Sequence, residues 1–196
     1  MAMHPEDVLH FWFGDGEPLD KSEAWFTKSD AFDAVCTERF GAAIAAAAAG
    51  KLDGWKSSPN GRLALVVLLD QLSRNVFRDK ARSFAQDPLA LAIAKEAHEA
   101  GDETAHDRVR ASFLLMPFMH AEDKACQKRC VDGFAALSRA ENDPKRRAYL
   151  ENSEKYARMH AAIIERFGRF PHRNRILGRT STYDEAEFLK QPDSAF

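Results

Sequence analysis

Cysteine is scarce: Cys36, Cys126 and Cys130 are the only three in 196 residues. Three cannot all pair with one another, and so few cannot form the disulfide framework of a small secreted domain, so the chain reads as one of a reducing compartment, the cytoplasm. Long apolar runs are missing too. The longest, residues 63–69 and 42–49, fall far short of the ~20 residues a membrane-spanning helix needs. The first residues carry Glu6 and Asp7 and only a brief apolar stretch at Phe11-Trp12-Phe13, the pattern of neither a signal peptide nor a transit peptide. Neither sign of charge is in excess, with 28 Lys and Arg against 30 Asp and Glu and a net charge of -2. The basic residues are spread along the chain, which argues against nucleic-acid binding. No segment alternates β-branched or aromatic residues with polar ones between turn residues, so no strand is expected. No G-x-S-x-G or comparable motif supplies a nucleophile beside an oriented base, so hydrolase chemistry of that kind has no support.

What is present is a globular composition, 45% apolar and 30% charged, sufficient for one packed domain over residues 1–196. Helix punctuation is legible. Ser58-Pro59, Asp87-Pro88 and Asp143-Pro144 each set a capping residue before a proline, whose absent N–H costs nothing at the first helical position. Gly50, Gly101 and Gly168 mark stops. Helices are expected at about 30–49, 60–78, 88–100 and 144–167, with others at about 107–119 and 122–138. A short one near 5–12 and a last one near 183–190, opened by the Thr182–Glu185 capping box, complete the set. Pro59, Pro88 and Pro117 are evenly spaced, but Pro117 lies inside an apolar run and marks no repeat. The alanine-rich stretch 42–49 reads as a close helix interface. The fold class is therefore all-α: antiparallel helix pairs, stacked because that is how such a chain buries its apolar stripes.

Residues 63–69 are apolar all round, the mark of a central helix surrounded by protein. The same helix runs straight into Asp70, Gln71, Arg74, Asn75 and Arg78, so charge enters at or near the core, where an unpaired ion costs several kcal/mol. Helical spacing sets Asp70 beside Arg74, Arg74 beside Arg78 and Gln71 beside Asn75. Asp70 neutralises one arginine and leaves the other in need of a further acid or an anionic ligand. A second apolar run, 113–119, ends in His120, Glu122 and Asp123, with Pro117 expected to kink or end its helix there. Asp123 is the first expected partner for the surplus arginine and Glu122 the second. A third island, His172, Arg173, Asn174 and Arg179, follows the long helix and is positioned to fold over the other two. Burial requires the three islands to converge.

Three functional readings follow. The leading one is a binding module receiving a protein, a peptide or an anionic small molecule on a concave surface. The second is an enzyme acting on an anionic substrate held by Arg74, Arg78 and Arg173, with His120 as general acid or base and Glu122 or Asp123 orienting it. The third is a structural or homo-oligomeric role for the aromatic patch near the amino terminus, although Trp12, Trp25 and Trp55 at helical spacing read as core. Cys126 and Cys130 lie one helical turn apart near His120, but a single such pair is a weak metal signal, and no metal or cofactor is assigned. An internal ion-pair network that sets the angles between helices is the plainest explanation of the islands.

Long ordered motifs also carry a family resemblance. They are His10-Phe11-Trp12-Phe13-Gly14, Trp25-Phe26, Leu69-Asp70-Gln71 with Arg74-Asn75-Val76-Phe77-Arg78, and Phe84-Ala85 with Asp87. Later come Pro117-Phe118-Met119-His120 with Glu122-Asp123 and Gln127, then Pro171-His172-Arg173-Asn174 with Leu177-Gly178-Arg179 and Ser181-Thr182. Over nearly its whole length the chain resembles the bacterial domain-of-unknown-function family 924. The resemblance implies a tetratricopeptide-repeat-like helical array, and brings no agreed reaction, substrate or cofactor. The chain departs from the family pattern at Ser73 and Tyr183, where proline is usual, at Asp79, where glycine is usual, and at Ala121, where serine is usual.

Overall fold

The structure, a computed structural model, describes residues 3–192 and 194. In chain order, α1 (Pro5–Phe13) leads through a 3-10 turn (Pro18–Lys21) into the short α2 (Ser22–Phe26) and then α3 (Asp30–Ala48). The central rod is composite: α4 (Pro59–Val66), a π-helical turn (Val67–Leu72) and α5 (Ser73–Val76). After a 3-10 turn (Ala81–Phe84) come α6 (Asp87–Glu99), α7 (Arg108–Phe113), α8 (Met116–His120), α9 (Lys124–Ala140) and α10 (Pro144–Phe167). A last 3-10 turn (Pro171–Arg173) precedes α11 (Tyr183–Phe188), and no strand occurs among the described residues.

Local chemistry explains most boundaries. Ser58 accepts from Gly61 N at 3.1 Å and Asp143 from Arg146 N at 2.9 Å, each satisfying an amide with no partner inside its helix. Gly50, Gly101 and Gly168 adopt φ of 72°, 74° and 70°, the left-handed geometry that closes a helix. The Thr182–Glu185 capping box forms as expected. Three expectations change. Asp87 caps nothing: Gln86 holds the cap position and Asp87 is the first residue of α6. The helix expected over 60–78 contains the π turn and stops at Val76. The one expected over 107–119 is divided at Leu114-Leu115, with Pro117 in the first turn of α8, where its missing N–H costs no hydrogen bond.

Polar contacts near the helix ends fix the directions of packing. Asp33 at the start of α3 meets Arg78 beyond the end of α5, so α3 runs antiparallel to the rod. Arg62 at the start of the rod forks onto Asp102 after α6 (2.6 and 2.7 Å), while Arg74 near its end meets Asp87 at the start of α6. Lys124 at the start of α9 reaches Glu165 at the end of α10, making these two an antiparallel hairpin. The rod sits in the centre, with residues 63–69 all at most 2% exposed. At the amino-terminal end Trp12, Phe13, Trp25 and Phe113 pack edge to face and stacked, and Trp25 Nε1 donates to Trp12 O at 2.8 Å. The aromatic patch is thus mostly interior, with Phe26, 61% exposed, facing out.

Asp79 is the one described residue besides glycine with positive φ, 60°. This is the position at which the family pattern carries glycine, and its exposed ion pair with Lys28 contributes little. Asp79→Gly should therefore raise stability by about 0.5–1 kcal/mol. Urea unfolding measures this, and a variant less stable than the parent would show that the turn holds aspartate for another reason.

Candidate functional site

The π turn places Asp70 fully out of solvent, 0% exposed, between the rod and α8. His120, the last residue of α8, brings Nδ1 to 2.8 Å and 3.0 Å from the two carboxylate oxygens of Asp70. Gln71 Nε2 donates to Asp70 Oδ2 at 2.5 Å. Arg74 donates from Nη1 to the Asp70 carbonyl and lies 3.4 Å from its carboxylate. Its Nη2 reaches Asp87 Oδ2 at 3.1 Å. Arg173 Nη1 donates to that same oxygen at 3.3 Å and to the His120 carbonyl at 3.1 Å. Two arginines from distant segments thus share one carboxylate oxygen. Phe84 underlies both, its ring centre 5.7 Å from the Arg74 guanidinium carbon and 4.6 Å from that of Arg173.

The electrostatics follow from burial and these contacts. Burial, then the positive charge of Arg74, holds His120 below the ordinary histidine range against the pull of Asp70, so the ring is neutral at pH 7. Its partner there is an acceptor, so Nδ1 carries the proton and Nε2 keeps the lone pair. Burial opposes ionisation of Asp70, yet the neighbouring His120 and Arg74 and its hydrogen bonds hold it below the usual carboxylate range. With His120 neutral, Arg74 supplies the countercharge and the imidazole supplies a hydrogen bond. Arg173 is lowered to about 10 by burial and by Arg74, and remains a cation at neutral pH. Two aspartates therefore balance two arginines.

Asp70, Gln71, Arg74, His120 and Arg173 come together, and the other expected residues do not join them. Asn75 and Arg78 turn to Asp33 on α3, at 2.8 Å from Asn75 Nδ2 and 2.9 Å from Arg78 Nη2. The expected partnership of Asp123 with an arginine is wrong. Asp123 is exposed and caps α9, accepting from Cys126 N at 2.8 Å, because an acid one residue before a helix meets free amides first. Glu122 binds Phe170 N at 2.8 Å and both Nη atoms of Arg179 at 2.7 and 2.9 Å, which ties the post-helix loop down. Neither acid orients His120; Asp70 does. Asn174 bonds Ser181 Oγ and Glu185 Oε2, and His172 lies against Phe170 with ring centres 5.5 Å apart. Asp33 and His160 carried no local signal, Phe84 stood out only in the family motifs, and Asp87 and Glu185 were hidden behind their readings as helix-cap residues. Asp123→Ala should cost only about 1 kcal/mol, the value of a lost cap. A loss several times larger in chemical unfolding would restore Asp123 to the ion network.

Cys126 and Cys130 are buried free thiols, the first pushed up to about 11 by burial and Asp123. Among the described residues no three His, Cys, Asp or Glu side chains are placed to hold a metal ion, and no helix is long and apolar enough to cross a membrane.

No curated protein matches the chain. A solved structure of a protein of unknown function from Agrobacterium tumefaciens is similar at a TM-score of 0.80 and 40% identity, covering 95% of this chain and 96% of that one. The model of a family described as bacterial protein of unknown function, DUF924, matches residues 8–193, and the chain belongs to that family.

Proposed function

We propose that the chain is a helical binding module of the cytoplasm, with a tetratricopeptide-repeat-like stack, and that it takes a small anionic molecule where Arg74, Asp87, His120 and Arg173 meet. One observation carries this reading: Arg74 and Arg173, brought from distant segments, share the single oxygen Asp87 Oδ2, which leaves their guanidinium groups under-neutralised by it. Donors held in this way have capacity left for an anion. The π turn under Asp70 supports it, since such turns interrupt the ordinary helical ladder and are frequent at functional sites. Exposure favours a small molecule over a peptide. Arg74, Asp87 and His120 keep only 22%, 16% and 15% of their side-chain surface, so the junction meets solvent over an area suited to a small group rather than to a chain. A thermal-shift screen of small carboxylates and phosphates at constant ionic strength tests the reading. A true ligand at a hundredfold excess over its Kd adds about 2.7 kcal/mol, and no saturable rise with any anion would overturn the proposal.

The second reading, proton-transfer catalysis, is favoured by one feature. Asp70 holds the His120 ring by Nδ1, the arrangement in which a carboxylate orients a base and leaves Nε2 to act. Turnover of an anionic ester, lost in His120→Asn while the fold persists, would establish it; binding without turnover across the panel would exclude it for those substrates.

A further inference from the structure

The segment after α10 is held differently from the rest of the chain. Its Phe170 and Phe188 join Ile163, Ile164 and Phe167 in a small apolar cluster at the end of α10, apart from the continuous core that the other helices share. Its polar groups bind one another. Glu185 accepts from Arg169 Nε and Nη2 at 2.6 and 2.8 Å, from Asn174 Nδ2 at 3.2 Å and from the Thr182 amide at 2.7 Å, which braces residues 169–188 as one unit. Polar ties to the rest of the domain run through Glu122, which holds the Phe170 amide and Arg179, and through Arg173, which donates to Asp87 and the His120 carbonyl. Gly168, at φ 70°, stands where the unit leaves α10.

Three histidines gather where this unit docks. The Phe170 ring centre lies 5.4 Å from that of His160 on α10 and 5.5 Å from that of His172, and the His160 ring is 6.3 Å from His120 on α8. The acids there are already engaged. Asp70 and Asp87 face Arg74, Arg173 and His120, while Glu122, the acid that bears on His172, is held by Arg179. His160 faces Arg173, His120 and His172, with its Nδ1 at 2.8 Å from the Tyr156 carbonyl. A proton added to either ring therefore meets cations whose counterions are taken. We propose that residues 169–188 form a latch that mild acid releases as a unit from the rest of the domain, while the continuous core stays folded. Closed, the latch keeps both rings largely from water, so that burial, then His120, lowers His160 to about 3, and burial, then Arg173, lowers His172 to about 4. Open, both titrate near the ordinary value of about 6.5. Above that value neither form gains a proton; below it the open form takes up protons that the closed form refuses, so release grows as pH falls. His160 alone should raise the ratio of open to closed about 25-fold between pH 7 and pH 5, and His172, partly exposed, adds to this. Release withdraws Arg173 from Asp87 and the His120 carbonyl, and so dismantles the junction whether or not an anion sits there.

The test is native-state hydrogen exchange of the full chain, read amide by amide by NMR at pH 7 and pH 5 and corrected for intrinsic exchange rates. The bonded amides of Leu177, Arg179 and Ala186 report the latch, and those of residues 65–72 in the buried rod report global unfolding. The latch amides should share one opening constant, about tenfold or more above that of the rod, and it should rise about 25-fold or more from pH 7 to pH 5. In His160→Gln the rise should shrink to the part that His172 supplies. Should that variant fail to fold, exchange in the parent chain decides alone. Latch amides that exchange with the rod's own opening constant at both pH values would show that the segment leaves only with the whole fold, and overturn the latch. A separate opening constant that ignores pH, or a rise left undiminished by His160→Gln, would overturn release through these histidines.

Discussion

Asp87→Ala should lower stability by about 3–5 kcal/mol, because it removes the carboxylate that Arg173 and Arg74 share and leaves charge buried without its counterpart. For a chain of this length that is a fall in Tm of roughly 6–20 °C. Asp87→Asn should lose most of the same amount, since it keeps the shape and removes the charge. The effect would be several times that of Asp123→Ala, although the sequence marks Asp123 as the more conspicuous acid. Urea denaturation reads both variants on one scale. Equal, small losses for the two would mean that Arg173 is neutralised elsewhere.

Acid should destabilise the protein well above the pH at which its carboxylates protonate. His160 on α10 is 6% exposed, and burial, then His120, lowers it to about 3. It faces the His120 ring at 6.3 Å and the Phe170 ring at 5.4 Å, with Arg173 and His172 nearby, while its Nδ1 is 2.8 Å from the Tyr156 carbonyl. In the unfolded chain it titrates near the ordinary histidine value of about 6.5. Above that pH both states are neutral at His160 and stability is unaffected. Below it the unfolded state takes up a proton that the native state refuses, so stability falls with pH until the native value near 3 is reached. The loss from His160 alone is about 3 kcal/mol by pH 4. His172, lowered to about 4 by burial and Arg173, acts in the same direction, reduced by its partial exposure. The lowered carboxylates Asp33, Glu122 and Glu185 weaken the fold only below the ordinary carboxylate range, so the interval from pH 6.5 to about 4.5 isolates the histidines. Tm measured across that interval should fall in the parent chain and fall less in His160→Gln. A flat profile would show that the histidines titrate normally.

Helix ends were legible because caps and left-handed glycines are decided by a few neighbouring residues, as at Ser58, Asp143 and Gly168. Asp70, Arg74 and His120 were legible as polar residues directly following apolar runs, and Arg173 as part of the polar island after the long helix. Their partners were not. Asp33 lies 45 residues before the Arg78 it neutralises and sits in an unremarkable amphipathic helix. Asp87 precedes a proline, which satisfied a local rule and so concealed a contact 86 residues away with Arg173. The π turn left no trace because residues 63–69 are apolar on every face, and a pattern without periodicity cannot register an inserted residue. Five-residue α2 is likewise too short to show a period.

A double-mutant cycle on Asp87 and Arg173, read by chemical unfolding, addresses the shared carboxylate directly. Asp87→Asn and Arg173→Met should each be costly, and the double variant should be more stable than Asp87→Asn, with a coupling of about 1.5–3 kcal/mol. Losses that simply add, within about 0.5 kcal/mol, would mean that the two residues do not sense one another and that the buried junction is not what holds these segments together.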